Sequence, residues 1–154
     1  MEIYNLKDRP EFIREIAILE HNEWGEPDSS IDEFENNIDK KICSLKSKME
    51  SSNFCKLILV NENELIGFIS IFPTDGDERT DLTPWYATMY VKEKYRGNGY
   101  SKILNNAIIR EAKARGYKKL YLKSDLVNYY EKFGAIYMED LKCGEKLYYI
   151  NIDE

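Results

Sequence analysis

Residues 91–102 run Val91-Lys92-Glu93-Lys94-Tyr95-Arg96-Gly97-Asn98-Gly99-Tyr100-Ser101-Lys102, and what flanks this stretch decides the fold. Before it, residues 85–91 alternate Trp85, Ala87, Met89 and Val91 against Tyr86, Thr88 and Tyr90, as a central strand with two differently used faces does. After it, Ile103, Leu104, Ala107, Ile108 and Ala112 recur at helical spacing until Gly116 ends the run. A glycine-bearing bend between a strand and a helix lets backbone N–H groups converge. The helix N-terminus adds unpaired donors and a favourable dipole, a combination suited to a pyrophosphate. Gly97-Asn98-Gly99 on its own reads more readily as a tight turn, and only its place between strand and helix favours the anion reading. A Rossmann loop wants a third glycine where Lys102 stands, and a P-loop wants GxxxxGK, so both nucleotide fingerprints fit poorly.

Outward from the bend, the chain alternates helices and strands. A strand over residues 2–6 leads into Asp8, Pro10 and Glu11, a helix start in which proline sits harmlessly in the first turn. Phe12, Ile13, Ile16, Ala17 and Leu19 give that helix its apolar face, and Gly25 and Pro27 stop it. Ser30 and Glu33 have capping-box spacing ahead of a second helix, with Ile31, Phe34, Ile38, Ile42, Leu45 and Met49 on one stripe. Residues 54–60 and 65–72 read as an antiparallel hairpin across Asn61-Glu62-Asn63-Glu64. The polar segment 73–84 is expected as a surface loop. Past the central helix come a short strand at 120–123, a short helix at 126–133 closed by Gly134, and a hairpin of 135–141 with 146–152.

A length of 154 residues suits one domain, residues 1–154, and 43% hydrophobic with 13% aromatic residues suffices for a core. A net charge of −6 argues against a nucleic-acid partner and leans toward cationic ligands. No apolar run approaches the ~20 residues of a membrane span, and the first ten residues lack signal-peptide order, so a cytoplasmic protein without a membrane partner is expected. Cys43, Cys55 and Cys143 show no disulfide or zinc spacing and are expected as buried small hydrophobes. His21 stands alone and is expected on a helix surface, so no metal site is anticipated.

Arg96, Gly99 and Ser101 occupy the places of the Arg/Gln-x-x-Gly-x-Gly/Ala signature of the GNAT superfamily of N-acetyltransferases, which the chain resembles over nearly its whole length. Residues 84–91 look like the family's preceding strand. Asn128-Tyr129-Tyr130-Glu131-Lys132-Phe133-Gly134-Ala135 is similar to its aromatic-Tyr-Glu-Lys-x-Gly-Phe segment, with Tyr130 on the tyrosine. Three departures stand out: Ser101 for a small apolar residue, Ala135 for Phe or Trp, and Lys123-Ser124 where an asparagine is common. The resemblance implies an α/β (α+β) fold in the order βααβββαβαββ, with a splayed, mostly antiparallel mixed sheet of about seven strands and about four helices. It also implies acetyl-CoA as cosubstrate, a small-molecule amine as acceptor, and a monomer or homodimer.

On that resemblance, Met89, Tyr90 and Val91 meet the pantetheine arm, and Arg96, Gly97, Asn98, Gly99, Tyr100, Ser101 and Lys102 form the diphosphate grip. Acetyl transfer to an amine needs a proton acceptor, a polarised carbonyl and a proton donor to sulfur. With a reference pKa of about 10, a tyrosine is protonated at neutral pH, which fits Tyr130 as general acid. Glu23 and Asp81 are alternative bases, and Trp24 and Asp81 are candidate walls of the acceptor pocket. A covalent acetyl-cysteine route lacks an activated thiol, so direct transfer in a ternary complex is preferred. Two other readings keep the same bend: a catalytically silent CoA-binding module, and an acetyltransferase of protein N-termini or lysines.

Overall fold

The computed structural model describes residues 1–152; Asp153 and Glu154, included in the single-domain reading, lie outside the described residues. Ten main elements follow one another: β1 (Glu2–Asn5), α1 (Ile13–Trp24), α2 (Ile31–Met49), β2 (Cys55–Asn61), β3 (Glu64–Phe72), β4 (Trp85–Val91), α3 (Tyr100–Ala114), β5 (Lys119–Ser124), β6 (Ala135–Asp140) and β7 (Lys146–Asn151). The seven strands form one sheet in the order β1-β2-β3-β4-β5-β7-β6. All pairings are antiparallel except β4 with β5, which is parallel.

Local chemistry explains the boundaries. Pro10 opens a 3₁₀ turn that runs into α1. Ser30 Oγ accepts the Glu33 N–H at 3.1 Å as the α2 cap, but the Glu33 carboxylate turns to the Ser29 N–H at 2.6 Å instead of closing the expected reciprocal box on Ser30. The β2–β3 hairpin turns on Glu62 and Asn63, both with positive φ (50° and 66°), the geometry whose twist matches paired strands.

The fourth helix expected over 126–133 does not form; only Tyr130–Phe133 make a 3₁₀ turn. Asn128 adopts φ 60°, which breaks a right-handed helix, and Glu131 accepts the Asn128 N–H at 3.2 Å in place of a helical bond.

Two cores sandwich the sheet. α3 packs Leu104, Ala107, Ile108 and Ala112 against Leu57, Ile69, Ile71, Tyr86, Val91 and Leu122. On the other face α1 and α2 bring Ile13, Ile16, Ile38 and Leu45 onto Ile58, Val60, Leu65 and Phe68. At about 0.8 kcal/mol per buried CH₂, these two layers carry most of the drive to fold.

The strict alternation expected along residues 85–91 is broken. Phe68 pairs with Tyr90 and Ser70 with Ala87, so β4 spends three steps where β3 spends two. The extra residue is a bulge at Thr88, φ 52°, and beyond it Met89 and Val91 join Tyr86 on the α3 face. A β-branched residue in that region stores roughly 1 to 3 kcal/mol of strain, which the surroundings must offset. Already ahead of the bulge β4 leaves β5: the two pair only at Trp85 and Tyr121.

Candidate functional site

Where β4 and β5 part, two cavities open. One, of about 370 Å³, runs from the bend at Arg96, Gly97, Gly99, Tyr100 and Ser101 along Met89, Tyr90 and Val91. The other, of about 600 Å³, lies between α1, α2 and the β4–β5 split, where Trp24, Asp75, Tyr86, Thr88 and Asp125 are among its walls. Glu23, Met89, Leu126 and Tyr130 line both. The two cavities therefore meet at the tyrosine of the 3₁₀ turn.

The bend fits an anion. Gly97 and Gly99 have φ of 82° and 80°, and a Cβ built at either meets nothing within 4 Å, so the space beside the backbone is open. Gly99 caps α3 without any side-chain hydrogen bond, and no acidic residue stands in the helix's first turn. Its first N–H groups are thus left for an incoming acceptor such as a diphosphate.

Side chains of the bend mostly build the loop itself. Arg96 Nε donates to the Val91 carbonyl at 2.8 Å, with its guanidinium 5.4 Å from the centre of the Tyr90 ring. Asn98 Nδ2 donates to the Tyr95 and Arg96 carbonyls at 3.0 and 3.4 Å. Neither Asn98 nor Lys102 lines the cavity, whereas the other eight residues expected on this side do.

On the other side, Glu23 and Trp24 both line the larger cavity, and Trp24 meets Tyr90 edge to face with centroids 6.2 Å apart. Asp81 lines neither cavity. It sits on the 73–84 loop with its carboxylate against Arg79, at 3.1 Å to both Nε and Nη2, which holds its carboxyl below the usual range. That placement removes the geometric basis for Asp81 as base or acceptor wall, because its charge is already paired away from the cleft.

Tyr130 packs against Tyr86 and Tyr129, centroids 5.9 and 4.8 Å away. Burial, aided by Tyr129, pushes its phenol up to about 12. The Tyr86 hydroxyl is buried with no hydrogen-bond partner, and burial raises it well above its ordinary value. Asp75, in the same cavity, is raised by burial despite the opposing charge of Lys123. Tyr86, Asp75, Asp125 and Leu126 escaped the sequence reading; for Tyr86 the available signal was its place in the strand just before the bend.

Other expectations are corrected. Cys43 and Cys143 are exposed; Cys55 is buried, and burial pushes its thiol up to about 11. His21 is largely buried, Nε2 lying 2.7 Å from the Asp28 carboxylate, so it is a paired residue rather than a surface one. Among the described residues no cluster of three or more His, Cys, Asp or Glu side chains can hold a metal ion, and no helix is long and apolar enough to cross a membrane.

Residues 10–135 match the model of the acetyltransferase (GNAT) family. The chain belongs to that family. It is a GNAT-type N-acetyltransferase, and the enzymes of the family use acetyl-CoA. No curated protein sequence matches it significantly. Solved GNAT structures share its fold: an aminoglycoside 6′-N-acetyltransferase from Enterococcus faecium superposes with a TM-score of 0.74 at 18% identity, covering 100% of this chain and 98% of that one. An aminoglycoside 6′-N-acetyltransferase complexed with coenzyme A gives the same values. An N-acetyltransferase from Staphylococcus aureus Mu50 gives 0.71 at 18%, covering 99% and 98%. The mixed seven-stranded sheet is thus the GNAT sheet, and the described residues hold three α-helices rather than about four.

Proposed function

We propose that this GNAT chain moves the acetyl group of acetyl-CoA to a primary amine of a small molecule by direct attack, as one catalytic domain. The observation that carries the reading is the pair of cavities that share Glu23, Met89, Leu126 and Tyr130. Two reactants can meet there without a covalent enzyme intermediate, and the raised thiol of buried Cys55 supplies no nucleophile.

On the smaller side, the open glycine bend and the uncapped α3 N-terminus hold the diphosphate, while β4 beyond Thr88, left without β5, offers backbone groups to the pantetheine. Acetyl-CoA supplies a thioester carbon that an amine can attack. Tyr130, protonated through neutral pH, holds the proton that the departing sulfur needs. Glu23, lining both cavities, takes the proton from the amine directly or through water.

Along the larger cavity the carboxylates of Glu20, Glu23, Asp75, Asp125 and Glu145 outnumber Lys41, Lys48 and Lys123, which favours a cationic acceptor, as does the net charge of −6, which also disfavours nucleic acid. The aminoglycoside acetyltransferases among the fold's relatives make aminoglycosides a class to test. The same reading has the enzyme working in the cytoplasm as a monomer or homodimer.

Calorimetry with acetyl-CoA, followed by thiol release with a panel of kanamycin, spermidine, tyramine and a lysine peptide, tests the proposal. Binding with turnover of a small amine supports it. Turnover of the peptide alone favours a protein acceptor, binding without turnover a silent module, and no binding removes the donor reading.

A further inference from the structure

Lys56 lies on β2 at 1% exposure, among strand neighbours that are apolar. Its ammonium donates to Ser70 Oγ at 2.5 Å and Thr88 Oγ1 at 3.1 Å, and forms an ion pair with Glu20 Oε1 at 3.0 Å. Ser70 and Thr88 also share a hydrogen bond of 2.6 Å, and the Phe68 ring faces the ammonium, its centroid 4.8 Å away. Glu20 is held in turn by Lys41 Nζ at 3.2 Å. Burial pulls Lys56 down and pushes Glu20 up, but the two lysines outweigh burial at Glu20 and keep it below its ordinary value.

A buried ion pair is a poor way to stabilise a fold, since apolar residues of similar volume serve stability as well or better. What this network does instead is geometric. Its end point is the hydroxyl of Thr88, the one β4 residue with positive φ, and Thr88 is the residue at which β4 changes register. Immediately beyond it, Met89 lines both cavities. Neither Thr88 nor Met89 has a cross-strand partner on β3 or β5 in the strand register.

We propose that Lys56, set by Glu20, is a positioning residue that fixes the left-handed backbone of Thr88 and so aims the out-of-register backbone of residues 88–89 at the acetyl carbonyl. It touches no substrate; it acts through the Thr88 hydroxyl. The inference rests on the donor reading above and adds to it a cause for the bulge, drawn from the opposite face of the sheet.

The test needs no acceptor. Bound [1-¹³C]acetyl-CoA reports carbonyl polarisation through its ¹³C shift, and calorimetry reports CoA affinity separately. Thr88→Val keeps the side chain's shape and removes the hydroxyl; Thr88→Gly adopts positive φ without any tether. The expected result is a downfield carbonyl shift in the wild type, lost in Thr88→Val, kept in Thr88→Gly, with the CoA Kd within about twofold throughout. Lys56→Met should behave as Thr88→Val, and adding Thr88→Gly to it should restore the shift, a rescue that loss of stability alone does not produce. If Lys56→Met fails to fold, the Thr88 pair decides the matter. A wild-type carbonyl shift in Thr88→Val overturns the proposal, as does equal loss in Val and Gly, which would make the hydroxyl rather than the backbone the active element. Failure of the wild type to bind acetyl-CoA removes the donor reading and this inference together, an outcome distinct from the other two.

Discussion

Tyr86 and Tyr130 meet edge to face, ring centroids 5.9 Å apart, one on the last stretch of β4 still beside β5 and the other on the 3₁₀ turn. Both phenols are driven upward, chiefly by burial, yet they differ in surroundings: the Tyr86 hydroxyl is sealed without a partner, while Tyr130 opens onto both cavities. The pair separates two jobs, and each can be tested alone.

Tyr130→Phe removes the proposed proton donor and leaves the ring. Turnover should fall on the order of 100-fold, with the acetyl-CoA Kd changing by no more than about threefold. Steady-state kinetics beside calorimetry separates the two, and a variant with wild-type kcat would remove Tyr130 from the mechanism.

The pH dependence follows from the phenol's value of about 12. Tyr130 stays protonated well past neutrality, so kcat/KM should climb as the amine loses its proton and show no falling limb from this residue below about pH 11. The stability consequence has the same sign. A group whose folded value is raised contributes below its unfolded value of 10.0 and loses that contribution as pH climbs toward about 12. Denaturant midpoints taken from pH 8 to 11.5 should be level at first and then decline.

Tyr86→Phe deletes a buried hydroxyl that has no partner among the described residues. Thermal stability should hold or rise slightly, since an unpaired buried hydroxyl costs about 1 to 3 kcal/mol. With the hydroxyl sealed, the KM for the amine and the affinity for acetyl-CoA should both stay at wild-type values. An unchanged KM across the amine panel would leave Tyr86 as packing only.

Gly99→Ala forces a Cβ into a left-handed residue where only conformation, not space, resists it. Roughly 1 to 2 kcal/mol of destabilisation is expected, together with weaker CoA binding as the bend relaxes. A melting curve and a calorimetric titration check both.

Cys55, raised by burial to about 11, should resist iodoacetamide at pH 8, whereas exposed Cys43 and Cys143 should alkylate. Peptide mass mapping of the labelled native protein reads the difference directly.

The elements with strong periodicity were legible in the sequence: the apolar stripe of Ile103, Leu104, Ala107 and Ile108 marked α3, and Ser30 marked the start of α2. So was the glycine bend, because a strand and a helix bracket it. Thr88 was not, since a β-branched residue argues against positive φ, and its hydroxyl partners Lys56 and Ser70 are distant in sequence. Lys56 itself is a residue type expected in solvent. The missing helix before Gly134 turned on the backbone of Asn128, and Asp81 on its pairing with Arg79; both are local choices that a hydrophobic pattern does not encode.

The early parting of β4 from β5 gives the protein two doors on one reaction chamber. On the proposed reading the donor side opens at the bend and the acceptor side past α1 and α2, so each substrate has its own mouth. An oversized acceptor would then block its own mouth alone, and the walls that choose the amine can drift in shape without loosening the hold on the donor.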